Sequence, residues 1–171
     1  MALSSTDLRL LDELQIDGRI SNRELARRTG LPESTCHDRL RSLYADRVLL
    51  GTRALVNPTA IGRPVQAMIS VRIRPQRRKD MEQLSQIIVG LPGVIATFIV
   101  TGETDLIVHV AVPDTAALRD FVWDHLTQRP EVSDVRTALV YEYQLGPPLL
   151  PQIKSAPTPS RTIEGDNSLI H

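Results

Sequence analysis

The sequence predicts an α+β fold in two parts, a small all-helical unit followed by a βαββαβ sandwich. Three observations carry this. Over residues 1–48, short stretches of helical periodicity alternate with capping and stopping residues. From Val65 onward, runs of period-two alternation are separated by helical runs. Between the two, Asn57-Pro58 and Gly62-Arg63-Pro64 interrupt any regular element, because proline restricts the residue before it and lacks an amide donor. The expected division is 1–48, a strand and linker at 49–64, 65–145, and a disordered, proline-rich tail at 146–171.

The first helix is expected from about Thr6 to Ile16. Leu10, Leu11 and Leu14 recur at helical spacing, Ser5 or Thr6 caps the start, and Asp17-Gly18 stops it. A second helix opens on a capping box, with Ser21 as the cap and Glu24 reaching back to the Ser21 amide. Gly30 ends it. A third helix follows Leu31-Pro32, where proline sacrifices no needed donor. Cys36, Leu40 and Leu43 fall at i, i+4 and i+7 and form its buried stripe. Ser34, Asp38 and Arg41 lie opposite, with His37 to one side and Arg39 near the apolar edge.

Two short helices around a glycine-containing turn, braced by a first helix, make a helix-turn-helix unit. Such a helix fits the major groove, where side chains on its first turns reach base edges. Ser34, Thr35, His37, Asp38 and Arg41 are the candidates for base edges. Arg19, Arg23, Arg28, Arg39 and Arg47 are candidates for phosphate or for packing. A three-helix bundle with a solvated, arginine-rich face is the plain alternative. Leu49 to Val56 is expected to be extended, a strand or arm that would make the unit winged.

In the second part, Val65, Ala67, Ile69, Val71 and Ile73 alternate with polar or small residues, as in a strand with one buried face. Asp80–Val89 is an amphipathic helix carrying Met81, Leu84, Ile87 and Ile88. Val94–Thr101 and Asp105–Val112 are strands around the Gly102-Glu103-Thr104 turn. Thr115–Leu126 is a helix capped by Asp114, and Val132–Leu145 a last strand. This order is the ferredoxin-like arrangement, with both helices on one sheet face. Both faces of the second strand are apolar, and Ile107 and Ala111 add to the open side. An apolar open face predicts a homodimer packed through the sheets.

Charge and composition narrow the function. The 20 Lys and Arg balance 20 Asp and Glu, yet Gly18–Arg53 holds eight Arg against four acids. A local excess of this kind suits a polyanion. Cys36 is the only cysteine, so an intrachain disulfide and a Cys-based zinc or iron–sulfur site are excluded. No apolar run approaches the roughly 18 residues of a membrane helix. Residues 1–9 do not read as a secretory leader. His37, His109, His125 and His171 have no metal-ligand spacing, and no phosphate loop or nucleophile elbow is present. No catalytic residue, metal site or cofactor is expected.

Four motifs carry a family resemblance. They are Asp17-Gly18-Arg19-Ile20-Ser21 running into Glu24-Leu25-Ala26 and Gly30-Leu31; Cys36 with Arg39-Leu40 and Leu43; Gly51, Ala54, Asn57-Pro58 and Ile61-Gly62; and Thr101-Gly102-Glu103-Thr104-Asp105. In this order the chain resembles the Lrp/AsnC, or feast/famine, transcription regulators over about Ser4–Leu145. The resemblance implies a double-stranded DNA partner and a homodimer assembling to a tetramer or octamer. It also implies an amino-acid-like effector bound between dimers, and a cytoplasmic, nucleoid-associated protein.

The turn Thr101, Gly102, Glu103, Thr104 and Asp105 matches the family's effector turn. Gly102 admits close backbone approach, and Glu103 or Asp105 is suited to an α-ammonium. Pro32 departs from the capping Ser that is more usual in the family. Asp38 departs too, and is expected to face a cytosine amine or to pair with a neighbouring Arg. An architectural DNA-coating multimer and a siroheme-decarboxylase-like enzyme are the alternatives.

Overall fold

The computed structural model describes residues 3–74, 77–147 and 149. The chain separates after Arg53, and the second compact unit is Ala54–Leu145. The expected linker at 49–64 therefore divides between the two units. Of the expected disordered tail, only Gly146, Pro147 and Leu149 are among the described residues, and the rest lies outside them.

The first unit contains α1 (Ser5–Ile16), α2 (Asn22–Thr29) and α3 (Glu33–Ala45). Leu10, Leu25, Ala26 and Cys36 form its buried centre, with Leu14, Ile20, Leu31 and Leu40 packed around them. Burial pushes the Cys36 thiol up, as a core residue requires.

The caps differ in detail from expectation. Ser4, not Ser5 or Thr6, caps α1. The reason is Asp7: its carboxylate accepts the Ser4 N–H at 2.9 Å while the Ser4 Oγ accepts the Asp7 N–H at 3.2 Å, a reciprocal box. In α2, the Ser21 Oγ accepts the Glu24 N–H at 3.2 Å, but the Glu24 carboxylate does not return to Ser21. It is held instead by Arg27 and Arg28 one turn on. Gly30 closes α2 at φ 69°, a left-handed conformation suited to glycine.

The expected wing is absent. After α3, the Val48 and Leu49 amides both donate to the Leu43 carbonyl, at 2.9 and 3.0 Å, and no residue of 49–56 joins a ladder. The backbone of this segment pairs with neither edge strand of the sheet among the described residues. Leu50 and Leu55 are left largely exposed.

The second unit holds β1 (Val65–Ile73), α4 (Arg78–Val89), β2 (Val94–Ile99), β3 (Leu106–Val112), α5 (Thr115–Val122) and β4 (Val132–Val140). The strands form one antiparallel sheet in the order β2-β3-β1-β4. Ala67, Ile69, Val71 and Ile73 on β1 bury against Leu84 and Ile88 of α4 and Leu118 and Phe121 of α5. The alternation of β1 is thus realised as expected.

Four boundaries move. The helix α4 begins two residues earlier than expected, at Arg78. The β2–β3 ladder ends at Ile99 opposite Leu106, and beyond it the Val100 amide donates to the Asp105 carbonyl at 3.0 Å, closing the turn. Strand β4 ends at Val140 rather than Leu145, because Val140 pairs with Gln66, next to the first residue of β1. The last helix changes from α to a π-type turn over Trp123–Thr127, after its Asp114 cap has formed as expected.

Register fixes the open face. Met68 lies opposite His109, Ser70 opposite Ile107, and Phe98 opposite Ile107, so these side chains share the side away from the helices. Arg72, Asp134 and Arg136 occupy the same face, which is therefore mixed rather than wholly apolar. His109 is buried on it, with Nε2 3.1 Å from the Gln66 Oε1 and its ring edge-on to Tyr143. Burial lowers its pKa.

The Asp7 clamp generates a stability prediction. Burial alone would raise the Asp7 carboxyl, but the bonds from Ser4 and Arg39 outweigh it and hold the group below its ordinary value. A depressed carboxyl contributes stability above its unfolded pKa, near 4, and loses it as pH falls through the folded value. Asp7→Asn is expected to lower the unfolding free energy of the intact chain at pH 7 by about 1–3 kcal/mol. Urea titrations across pH should show the gap from wild type narrowing below about pH 4. A gap constant from pH 7 to pH 2 would contradict this assignment.

Candidate functional site

The exposed face of α3 is built by periodicity. Cys36 and Leu43 anchor one side in the core, so Ser34, His37, Asp38 and Arg41 are left in solvent on the other. Thr35 is half-buried and lines a cleft with Asp7, Arg39 and Ser42. Asp38 is not paired with an arginine among the described residues, and its carboxylate lies 3.7 Å from the His37 Nδ1. Of the two fates expected for Asp38, the pairing with Arg is not found.

The arginines fall into two groups. Arg39 Nη1 lies 2.9 Å from the Asp7 Oδ1 and 3.2 Å from the Ser4 Oγ, tying α3 to the start of α1. Arg28 bridges Glu24 at 2.8 Å and Glu13 at 3.0 Å. Arg27 also holds Glu24, and the bonds from Arg27 and then Arg28 pull that carboxyl down to about 2. By contrast, Arg19, Arg23, Arg41 and Arg47 are exposed and their guanidiniums make no ion pair with a described residue. The structure thus separates ion-paired arginines (Arg28, Arg39) from arginines without a described ion pair (Arg19, Arg23, Arg41, Arg47) within one set of candidates.

One positioning contact has no sequence signature. Asn22, the first residue of α2, donates from Nδ2 to the Glu33 carbonyl at 3.0 Å, bracing the start of α3. A polar residue just after a serine cap gives no sign of a partner eleven positions away.

In the second unit, Thr101, Gly102 and Glu103 are exposed, Thr104 is half-buried and Asp105 is buried. Gly102 sits at φ 120°, which side-chain-bearing residues rarely adopt, and no heavy atom lies within 4 Å of the position a Cβ would take. The backbone there is open to an approaching molecule. Asp105 has a different place. Its Oδ2 accepts the Ile73 N–H at 2.8 Å and lies 3.7 Å from Arg74 Nη1, while its own amide donates to the Val71 carbonyl at 3.1 Å. Asp105 is therefore a strut that ties the turn to the end of β1. Sequence reasoning missed Arg74, although a buried carboxylate signals a nearby cation.

Among the described residues, no group of three or more His, Cys, Asp or Glu is arranged to hold a metal. No described helix is long and apolar enough to cross a membrane. A groove of about 750 Å³ in the second unit lies elsewhere. It is bounded by Leu55, Val56 and Ile61 before β1 and by Tyr143 and Leu145 after β4.

Comparison with known proteins agrees with this division. Residues 3–43 match the AsnC-type helix-turn-helix domain, and residues 66–143 match the Lrp/AsnC ligand binding domain. The HTH-type transcriptional regulator AldR of Mycobacterium tuberculosis is 36% identical over 84% of this chain and 80% of its own length. The leucine-responsive regulatory protein of Rhizobium meliloti is 35% identical over 80% of this chain and 88% of its own. The structure of transcriptional regulator NMB0573 from Neisseria meningitidis, solved as a complex with L-Met, superposes with TM-score 0.75 at 32% identity. That match covers 88% of this chain and 97% of the other. The exposed face of α3, the βαββαβ sheet and these matches agree: the chain belongs to the Lrp/AsnC family of helix-turn-helix transcriptional regulators.

Proposed function

We propose that this regulator reads a DNA site through Ser34, His37, Asp38 and Arg41 and grips phosphate with Arg23 and its exposed neighbours. We further propose that an amino acid or close relative, bound at the 101–105 turn between dimers, alters its assembly and hence its DNA engagement. The observation that carries the DNA part is the separation of the arginines, which leaves a free set flanking a polar, solvent-exposed helix face. The exposed Gly102 backbone supports the ligand part, together with the L-Met complex of the related regulator. The mixed open sheet face, with Phe98 exposed on it, supports self-association.

Asp38 argues for sequence specificity over general coating. A free carboxylate facing a polyanion opposes binding everywhere except where a cytosine amine receives it. A protein that coats DNA without preference gains nothing from such a residue.

The DNA part is tested by selecting a bound site from random duplexes and titrating it by fluorescence anisotropy. Arg41→Ala is expected to weaken the selected site by about 1–3 kcal/mol and to relax preference at one position. Arg23→Ala should weaken all duplexes alike and lower the salt slope by about one. Equal affinity of wild type for the selected site and for random DNA would overturn sequence-specific reading.

The ligand part is tested by light scattering and anisotropy with each of the twenty amino acids. One or a few should shift the oligomer distribution and the DNA affinity together, as differential binding to two assemblies demands. Glu103→Ala should abolish that shift while leaving ligand-free DNA affinity unchanged. No response to any amino acid at millimolar concentration would remove the sensing role.

A further inference from the structure

His109 stands on the open face of the sheet, yet only 6% of it is exposed. Its place in the register is central, opposite Met68 on β1 and Ala96 on β2. Phe98 and Ile107 follow on the same side. The ring is held at two points. Its Nε2–H donates to the Gln66 Oε1 at 3.1 Å, and the Tyr143 ring meets it edge-on with centroids 5.4 Å apart.

These neighbours do not favour a charged imidazole. An amide oxygen accepts the Nε2–H in either protonation state and carries no full charge. Tyr143 covers the ring without offering a carboxylate. Met68, Ala96 and Ala138 complete the row across β1, β2 and β4, and none of them ionises. Farther along the same side stand Arg72, Asp134 and Arg136. Asp134 is engaged by Arg136 at 3.0 Å, so this group adds two cations and one neutralised acid. Glu142, beside Tyr143 in the chain, accepts from the Gln144 Nε2 at 2.5 Å. Among the described residues, no carboxylate pairs with the imidazole. Burial therefore dominates and holds the ring below the ordinary histidine range.

We propose that His109 makes self-association through the open sheet face pH-dependent: two copies join with both imidazoles neutral, and protonation separates them. This rests on the reading that the open face joins two copies, and it adds a condition on that contact. A second copy laid over the face removes the remaining solvent access of the ring. The charged form is then penalised more in the pair than in the single chain. By linkage, association expels protons and weakens as pH falls. Because burial depresses the group, the contact keeps its full strength above about pH 6.5, the ordinary histidine value, and loses it below. A two-fold pair carries the group twice, which steepens the dependence.

The test is sedimentation velocity of the full chain from pH 8 to pH 5 at constant ionic strength, which resolves single chain, pair and larger assemblies. The wild-type dissociation constant of the pair should hold from pH 8 to 7 and rise by about tenfold or more by pH 5. His109→Gln keeps a neutral, hydrogen-bonding side chain and should associate equally at pH 8 and pH 5. His109→Met, which matches the neighbouring Met68, should do the same and serves where circular dichroism shows the glutamine variant unfolded. A constant that does not change with pH in the wild type overturns the proposal, as does an equal loss in wild type and variant. Phe98→Asp tests the underlying reading and should leave a single chain at every pH. If the wild type shows pH-independent association that Phe98→Asp abolishes, the face stands as the contact and the histidine switch alone is discarded. If the wild type is a single chain throughout, or Phe98→Asp associates as the wild type does, the contact and the switch fall together.

Discussion

The direction of α3 depends on one buried carboxylate. Helix α3 begins at a proline that offers no side-chain cap, and its apolar stripe is narrow. Packing on such a stripe limits rotation about the helix axis poorly. Asp7 supplies the missing constraint. Half-buried Arg39 reaches it from the middle of α3, and Ser4 holds it in place from the α1 cap. A three-point clamp of this kind fixes both the tilt of α3 and its rotation. The exposed stripe opposite is then aimed by chemistry on the inner side. The Asn22 contact to Glu33 does the same at the other end of the turn.

A similar logic governs the second unit. Strand β1 is central, paired on both edges, and its buried alternation sets the register of β3 and β4. Where it ends, the Ile73 amide donates to the Asp105 carboxylate instead of continuing a ladder. The turn between β2 and β3 is thus positioned by the end of a strand two places away in sequence. This frees Thr101, Gly102 and Glu103 to stay exposed without loosening the sheet. A rigid base under an exposed tip holds the loop's shape while leaving its backbone in solvent.

What the sequence disclosed follows the range of the forces involved. Periodicity placed the five α-helices and four strands of the described residues, because burying one face is a local pattern repeated along the chain, but not the short 3-10 turn at Thr59–Ile61. Ser21 and Gly30 were legible for the same reason, since caps act over three or four residues. Contacts between distant residues were not. Arg39 looks like its free neighbours until Asp7, 32 positions earlier, is beside it. Asp105 reads as a turn acid until Ile73 and Arg74 close on it. The end of β4 depends on the length of β1, and a wing depends on an edge to pair with. Neither property belongs to the segment itself.

The zero net charge is the clearest case of an average concealing a mechanism. Acids within the first unit neutralise particular arginines: Glu24 and Glu13 hold Arg27 and Arg28, and Asp7 holds Arg39. Those pairs position helices and contribute little to a long-range field. Arg19, Arg23, Arg41 and Arg47 make no ion pair with a described residue, so the count that bears on the proposed phosphate contacts is of these cations and not of the net charge. The open sheet face obeys a related rule. Phe98, Met68 and Ile107 alone would favour any apolar contact, but Arg72, Asp134 and Arg136 share the surface. A partner must satisfy those charges as well as cover the apolar side chains, which penalises unmatched contacts. Asp134 and Arg136 pair with each other at 3.0 Å, so a surface laid over this face must keep that ion pair satisfied while it covers Phe98.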